Sequence, residues 1–151
     1  MSAYRETTIS GVSNNTMLAF RHAAKNHRAK VVDVINWSVQ LLAIPPRLCN
    51  LYWITDEGTK DEKVTKIGIN PTPPMPQVGG SAEQKVNLTP EALRALDKAK
   101  NRYRCDEAGV LARAAWLATY FRRTDGKLGY GVYFKHKRSN SRLIVIQQFS
   151  T

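Results

Sequence analysis

The sequence is short of acid, of cysteine and of long apolar runs. Only 12 Asp and Glu stand against 23 Lys and Arg, a formal net charge of +11, which favours a polyanionic partner such as nucleic acid or an anionic membrane surface. The two cysteines, Cys49 and Cys105, have no CxxC spacing, so buried thiols in a reducing compartment are favoured over a disulfide or metal pair. No apolar segment approaches the roughly 20 residues that span a bilayer, and the opening MSAYRETTIS lacks the apolar run of a signal peptide. The expected location is therefore cytoplasmic, with no membrane partner.

Catalytic signatures are missing too. His22, His27 and His136 stand outside any HExxH or paired-cysteine context, and there is no glycine-rich phosphate loop and no GxSxG elbow. The acidic stretch DEGTKDE lacks the spacing of an EF-hand loop. The expectation is a protein that is not an enzyme, with no cofactor and no metal. His22 and His27, near a basic helix end, are expected to face solvent.

What is present suffices for a core: 151 residues, 42% hydrophobic, enough for one ordinary domain or two very small ones. KVNLTPEALRAL, from Lys85 to Leu96, alternates polar and apolar residues and then places Leu93 and Leu96 at helical spacing. Thr89 suits an N-cap and Pro90 the first helical position. Leu93, Leu96, Ala99 and Tyr103 form an apolar face. After a turn around Arg104 to Asp106, a second helix carries Val110, Leu111, Ala114, Ala115, Leu117, Ala118 and Phe121. YGVYFKH and RLIVIQQF, flanking KRSNS, predict a hairpin.

The same order occurs earlier. TTISGVS (Thr7 to Ser13) predicts a strand, Asn14 and Asn15 a helix start, and Met17, Phe20 and Ala23 or Ala24 an apolar face. From Val31 to Ile44 a second helix is apolar but for small Ser38 and a narrow stripe of Asp33, Asn36 and Gln40, and Pro45 and Pro46 stop it. NLYWIT and KVTKIGI then flank DEGTKDE as a hairpin. The chain is thus expected to be α+β: one strand-helix-helix-hairpin repeat over residues 1–70, a Pro/Gly linker over 71–82, and a second repeat over 83–151. The linker, extended, reaches roughly 30 to 40 Å, enough for the two repeats to join their opening strands antiparallel.

The segment KVNLTPEALRALDKAKNRYRCDEAGVLARAAWLATYF, and more loosely TTISGVSNNTMLAFRHAAKNHRAKVVDVINWSVQLLAI, resembles the ribbon-helix-helix (MetJ/Arc) superfamily of DNA-binding proteins. The two segments cover about half of the chain and leave the hairpins outside the family core. The resemblance implies two ribbon-helix-helix units in one chain, sharing a two-stranded antiparallel ribbon that enters the major groove of double-stranded DNA, each unit followed by a β-hairpin. It implies sequence-specific binding, as a transcriptional repressor or as a plasmid-transfer or partition accessory factor. Self-association along DNA and a protein partner are compatible with that role.

Val86 and Leu88 would face the helices, leaving Lys85, Asn87 and Thr89 outward, where Lys suits guanine, Asn adenine and Thr either a hydrogen bond or a thymine methyl. On the first strand, strict alternation would expose Ile9, whereas a bulge at Gly11 buries Ile9 and Val12 and turns Thr8 and Ser10 outward. The two strands then differ in chemistry, which favours an asymmetric DNA site. Arg28, Lys30 and Arg104 precede the second helix of each unit, where helix N-termini attract phosphate, although Asp106 and Glu107 oppose this in the second unit. Arg122, Arg123, Lys127, Lys135, Lys137, Arg138 and Arg142 concentrate charge around the last hairpin, making Lys135, Lys137 and Arg138 candidates for further backbone contact. The alternative is a basic interaction or inhibitor protein of the same fold, using hairpin aromatics Tyr52, Trp53, Tyr130, Tyr133 and Phe134, unless these cover helix cores.

Overall fold

The structure, a computed structural model, describes residues 4–45, 48–67, 80–120, 130–138 and 142–149. Among these residues the chain is mixed α+β, with four helices and six strands in two antiparallel sheets. In order they are β1 (Arg5–Ser13), α1 (Asn14–His27), α2 (Val31–Leu42), β2 (Cys49–Thr55), β3 (Lys63–Ile67), β4 (Ser81–Leu88), α3 (Pro90–Tyr103), α4 (Glu107–Tyr120), β5 (Tyr130–His136) and β6 (Ile144–Phe149). They divide into two compact units: residues 1–43 with 72–122, and residues 44–71 with 123–151. Both strand-helix-helix segments lie in the first unit and both hairpins in the second, so the units interleave the two sequence repeats. The proline-rich part of the linker, the tip KRSNS beyond Arg138, and Phe121, Arg122, Arg123 and Lys127 lie wholly or mainly outside the described residues.

In the first unit the helices of the two segments correspond at a separation of 76 positions, while the strands fall out of step by one residue before the bulge. Ser13 and Thr89 both sit in extended backbone before a helix, and each side chain accepts a hydrogen bond three residues on, from the N–H of Thr16 or Ala92. Arg28 and Arg104 close these helices with φ of 52° and 51°. The Ala29 and Cys105 N–H groups reach back to the carbonyls of Ala24 and Lys100, so both helices end in the same left-handed turn. Asn14 and Asn15 do not cap α1, because both already lie within the helix; Ser13, the last extended residue before it, is the cap.

β1 and β4 pair antiparallel from Arg5 opposite Leu88 to Ser13 opposite Ser81, with a shift between Ile9 and Val12. The bulge falls at Gly11, whose φ of 74° is strained for a residue bearing Cβ. It turns Ile9 and Val12 to the same side, where both are buried with Val86 and Leu88. α4 lies against α1, α2 and β1, and α2 against α3, so apolar faces of one segment are covered by the other. Phe20, Trp37, Leu41, Leu42, Leu96, Leu111 and Leu117 are all less than 2% exposed, each stabilising the fold by about 1.5 to 3 kcal/mol. His27, expected in solvent, is instead buried, its ring edge-on to Trp37 with centroids 5.9 Å apart. In the last turn of α1, Lys25 and Asn26 are exposed, and Ala24 and His27 are buried before the left-handed residue reverses the chain.

Asn36, also expected on a polar stripe, is buried on α2 and faces the other segment. Its amide nitrogen donates to the carbonyls of Val32 (2.7 Å) and Asn87 (2.9 Å), while its oxygen accepts from the Thr89 N–H (2.8 Å). Neighbouring Asp33 and Gln40 are only half-buried.

In the second unit the hairpins β2–β3 and β5–β6 join through β2 and β5 into one sheet of order β3-β2-β5-β6. Leu51, Ile54, Val132 and Tyr133 are buried there, and Tyr52, Trp53 and Phe134 half-buried, so these aromatics are not an exposed set.

Asn36→Ala leaves the Asn87 carbonyl and Thr89 N–H without their partner, and should lower stability by about 2 to 3 kcal/mol, measured as a shift of the urea midpoint at constant slope. An unchanged midpoint would show that water replaces the amide at no cost.

Candidate functional site

The outward face of the β1–β4 ribbon is the surface on which sequence-predicted residues meet. Alternation from buried Ile9, Val86 and Leu88 turns Thr8, Lys85 and Asn87 outward, and the bulge adds Ser10; all four are exposed. In the antiparallel register Thr8 stands opposite Lys85 and Glu6 opposite Asn87. Directly opposed Cβ atoms lie about 5 Å apart and successive outward positions about 7 Å apart, so these four side chains form a patch about 5 Å across the ribbon, narrower than the roughly 12 Å of a DNA major groove, and about 14 Å along it.

Thr89 does not belong to this patch. β4 ends at Leu88, and Thr89 is half-buried, its hydroxyl oxygen accepting from Ala92 N–H at 3.2 Å and its own N–H held by Asn36. The same residue cannot both cap a helix with that oxygen and present it outward, and here the cap prevails.

Glu6 was missed because the strand was expected to begin at Thr7, whereas it begins at Arg5. Its carboxylate lies 3.9 Å from the Lys85 ammonium, with the two side chains 63% and 68% exposed. A pair this wet adds little to stability. Glu83, also exposed, shares the outward parity of Lys85 and Asn87. The ribbon face therefore mixes acid and base within a strongly cationic chain.

The expected phosphate contacts divide between the two units. Arg28, Lys30 and Arg104 belong to the first, and all are exposed. Lys30 precedes α2 with extended backbone and no side-chain cap bond. That end nonetheless carries Asp33, whose carboxylate accepts from the Tyr4 hydroxyl at 3.0 Å; this hydrogen bond, with burial and the nearby charge, raises the Tyr4 pKa. Asp106 caps α4 through Gly109 N–H at 2.8 Å. Gly109 accommodates the turn: a Cβ there would lie 2.8 Å from that of Cys105. Lys135, half-buried on β5, and exposed Lys137 and Arg138 belong to the second unit.

One juxtaposition was not legible as sequence. Cys49 and His136 stand opposite each other in the β2–β5 register, with Sγ and Nδ1 3.6 Å apart. Burial pushes the Cys49 thiol above its ordinary pKa, partly opposed by Lys137, and burial does the same to Cys105 against Arg113. Nucleophilic thiols are poised the other way. Among the described residues no group of three or more His, Cys, Asp or Glu is arranged to hold a metal ion, and no helix is long and apolar enough to cross a membrane.

No protein-family model, curated protein or solved structure matches the chain.

Two outcomes follow from this geometry. Left-handed backbone costs a residue with Cβ roughly 1 to 2 kcal/mol, so Arg28→Gly and Arg104→Gly should each raise stability by about 1 kcal/mol in urea unfolding, less the added entropy of the unfolded chain; loss of stability would mean that the arginine side chains contribute packing that outweighs the strain. A raised thiol pKa means less thiolate at a given pH, so Cys49 and Cys105 should be alkylated by iodoacetamide more slowly than free cysteine at neutral pH, with rates that climb above the usual cysteine range. Faster labelling at pH 7 would indicate an activated thiolate.

Proposed function

We propose that this chain is a sequence-specific double-stranded DNA-binding protein without catalytic activity, a single-chain ribbon-helix-helix pseudo-dimer whose β1–β4 ribbon enters the major groove. The observation that carries the proposal is the antiparallel pairing of two short strands from distant parts of the sequence, with apolar residues turned inward and Thr8, Ser10, Lys85 and Asn87 exposed on the other face. Two-stranded ribbons are stable only when one face is covered, and here Ile9, Val12, Val86 and Leu88 supply the buried side. The polar side carries donors and acceptors that match base edges. Its net charge of +11 supplies the attraction to phosphate.

Arg28 and Arg104 fit the same role. Each occupies a strained left-handed position where Gly is the unstrained choice, and each is exposed just before a second helix. Strain retained at two equivalent places is consistent with a use for the side chain. The strands differ in sequence and only β1 carries the bulge, so the preferred DNA site is asymmetric. A repressor and an accessory factor of plasmid transfer or partition are equally served by such a module.

A second function is favoured by one observation, the carboxylates of Glu6 and Glu83 on the ribbon face: a basic protein-interaction or inhibitor module whose ribbon docks on a mixed-charge protein surface.

Selection from a randomised duplex library at low salt separates the two. A DNA reader enriches one asymmetric site, its affinity falls steeply and linearly in log-log form as salt rises, and Asn87→Ala relaxes preference at one base pair by about 1 to 3 kcal/mol. No enrichment at low salt would remove the DNA function, and an equal loss on all duplexes would make Asn87 a non-specific contact.

A further inference from the structure

The carboxylate of Glu6 is the feature of the ribbon face least suited to a polyanion. It faces outward, opposite Asn87, and lies diagonally across the ribbon from Lys85. Entering a groove lined by phosphates, an unpartnered carboxylate would lose its water and gain repulsion. It is tolerable there only if a donor meets it. The major groove offers two kinds of amino donor, N4 of cytosine and N6 of adenine, and carboxylates pair with the first.

Lys85 narrows the choice. Its ammonium lies 3.9 Å from the Glu6 carboxylate, so the ribbon presents a cationic donor and an anionic acceptor side by side. A G·C pair presents the reverse pattern in the major groove: guanine O6 and N7 accept, and beside them cytosine N4 donates. An A·T pair sets the adenine N6 donor between two acceptors and puts a methyl group beyond, which gives the lysine and the carboxylate a poorer match.

We propose that Glu6 is a specificity-determining residue, its carboxylate accepting from cytosine N4 while Lys85 donates to the guanine of the same base pair. The assignment rests on the DNA-binding function proposed above and deepens it. In the free protein the two side chains neutralise each other on the surface; in the complex each exchanges that partner for a base edge. On an A·T pair the carboxylate meets adenine N6 only between two acceptors that repel it, so Glu6 also weakens binding to unrelated duplex.

The test compares site selection from a randomised duplex library by the wild-type chain, Glu6→Ala, Glu6→Gln and Lys85→Ala, followed by anisotropy titrations on the selected duplex and its single-base-pair variants. Both side chains are more than 60% exposed, so thermal unfolding should be unchanged. The wild-type chain should discriminate for G·C at one position by about ten-fold or more. Glu6→Ala and Lys85→Ala should reduce discrimination at that same position to about two-fold or less, and Glu6→Ala should bind mixed-sequence duplex more tightly. Glu6→Gln should shift the preference towards adenine, which Gln pairs bidentately. If the Glu6 variants tighten binding to every duplex alike with the selected site unchanged, the carboxylate only repels phosphate and the assignment is overturned. Effects of Glu6 and Lys85 at different base pairs overturn it also. A wild-type chain that selects no sequence removes the DNA function itself, and the assignment with it.

Discussion

The ribbon depends on how its two ends are finished. Backbone groups just past the last paired residues have no strand partner, and burying them unsatisfied would cost more than the strand pairing returns. At one end the chain solves this with backbone alone: Ser13 pairs with Ser81, and the Asn14 N–H continues to the Gly80 carbonyl at 2.9 Å. At the other end pairing stops at Arg5 opposite Leu88, while Tyr4 turns its hydroxyl to Asp33. There the Asn36 amide takes the place of the missing strand, bonding the Asn87 carbonyl and the Thr89 N–H. The position equivalent to Asn36 in α4, 76 residues on, is Ala112, fully buried and apolar. No amide is needed there because Gly80 already serves that end. The duplication is thus broken where the two ends of the ribbon have different needs.

That clamp links fold to surface. Asn36 sits in the first segment and holds the junction between β4 and α3 in the second, so the outward register of Lys85 and Asn87 is fixed by a side chain buried beneath them. The Gly11 bulge does the corresponding work on β1, since without it a strict two-residue alternation could not bury both Ile9 and Val12 while keeping Thr8 and Ser10 outward. Both devices act on backbone, so the outer side chains stay free to be chosen for what they touch.

Much of this was legible in the sequence because it is local. The N-cap Thr89 stands one residue before the helical periodicity of α3, and the conflict between Ile9, Gly11 and Val12 can be settled by counting faces, whereas the cap of α1 was placed on Asn14 and Asn15, one residue or two too late. The constant offset of Met17, Phe20 and Ala23 from Leu93, Leu96 and Ala99 gave the equivalence of the two segments. What was not legible is non-local. Nothing in NLYWIT or YGVYFKH says that β2 pairs with β5 as well as with β3, because an apolar strand shows that it is covered but not which strand lies beside it. Nor does a polar residue on a helix reveal whether it meets water or a distant partner, which is why His27 was assigned to solvent and Asn36 only to a polar stripe. Thr89 carried two assignments, outward reader and helix cap, that only coordinates separate.

Charge is distributed against the simplest expectation for a nucleic-acid reader. The excess of Lys and Arg falls mostly after residue 70, where 14 Lys and Arg stand against 6 Asp and Glu, while the ribbon face itself holds Lys85 against Glu6 and Glu83. Under the proposed DNA-binding function, phosphate attraction, long-ranged and indifferent to sequence, would lie away from the patch that reads bases and so separate two tasks: general positive charge would draw in any duplex, and a near-neutral patch would add little to that attraction. Discrimination then comes from groups that must find complementary partners at contact distance. A carboxylate serves this better than another lysine, since a lysine tolerates most acceptors whereas an anion buried against DNA tolerates only a donor. The acidic residues of the ribbon are therefore compatible with DNA recognition, provided that its specificity arises from what the patch rejects as much as from what it binds.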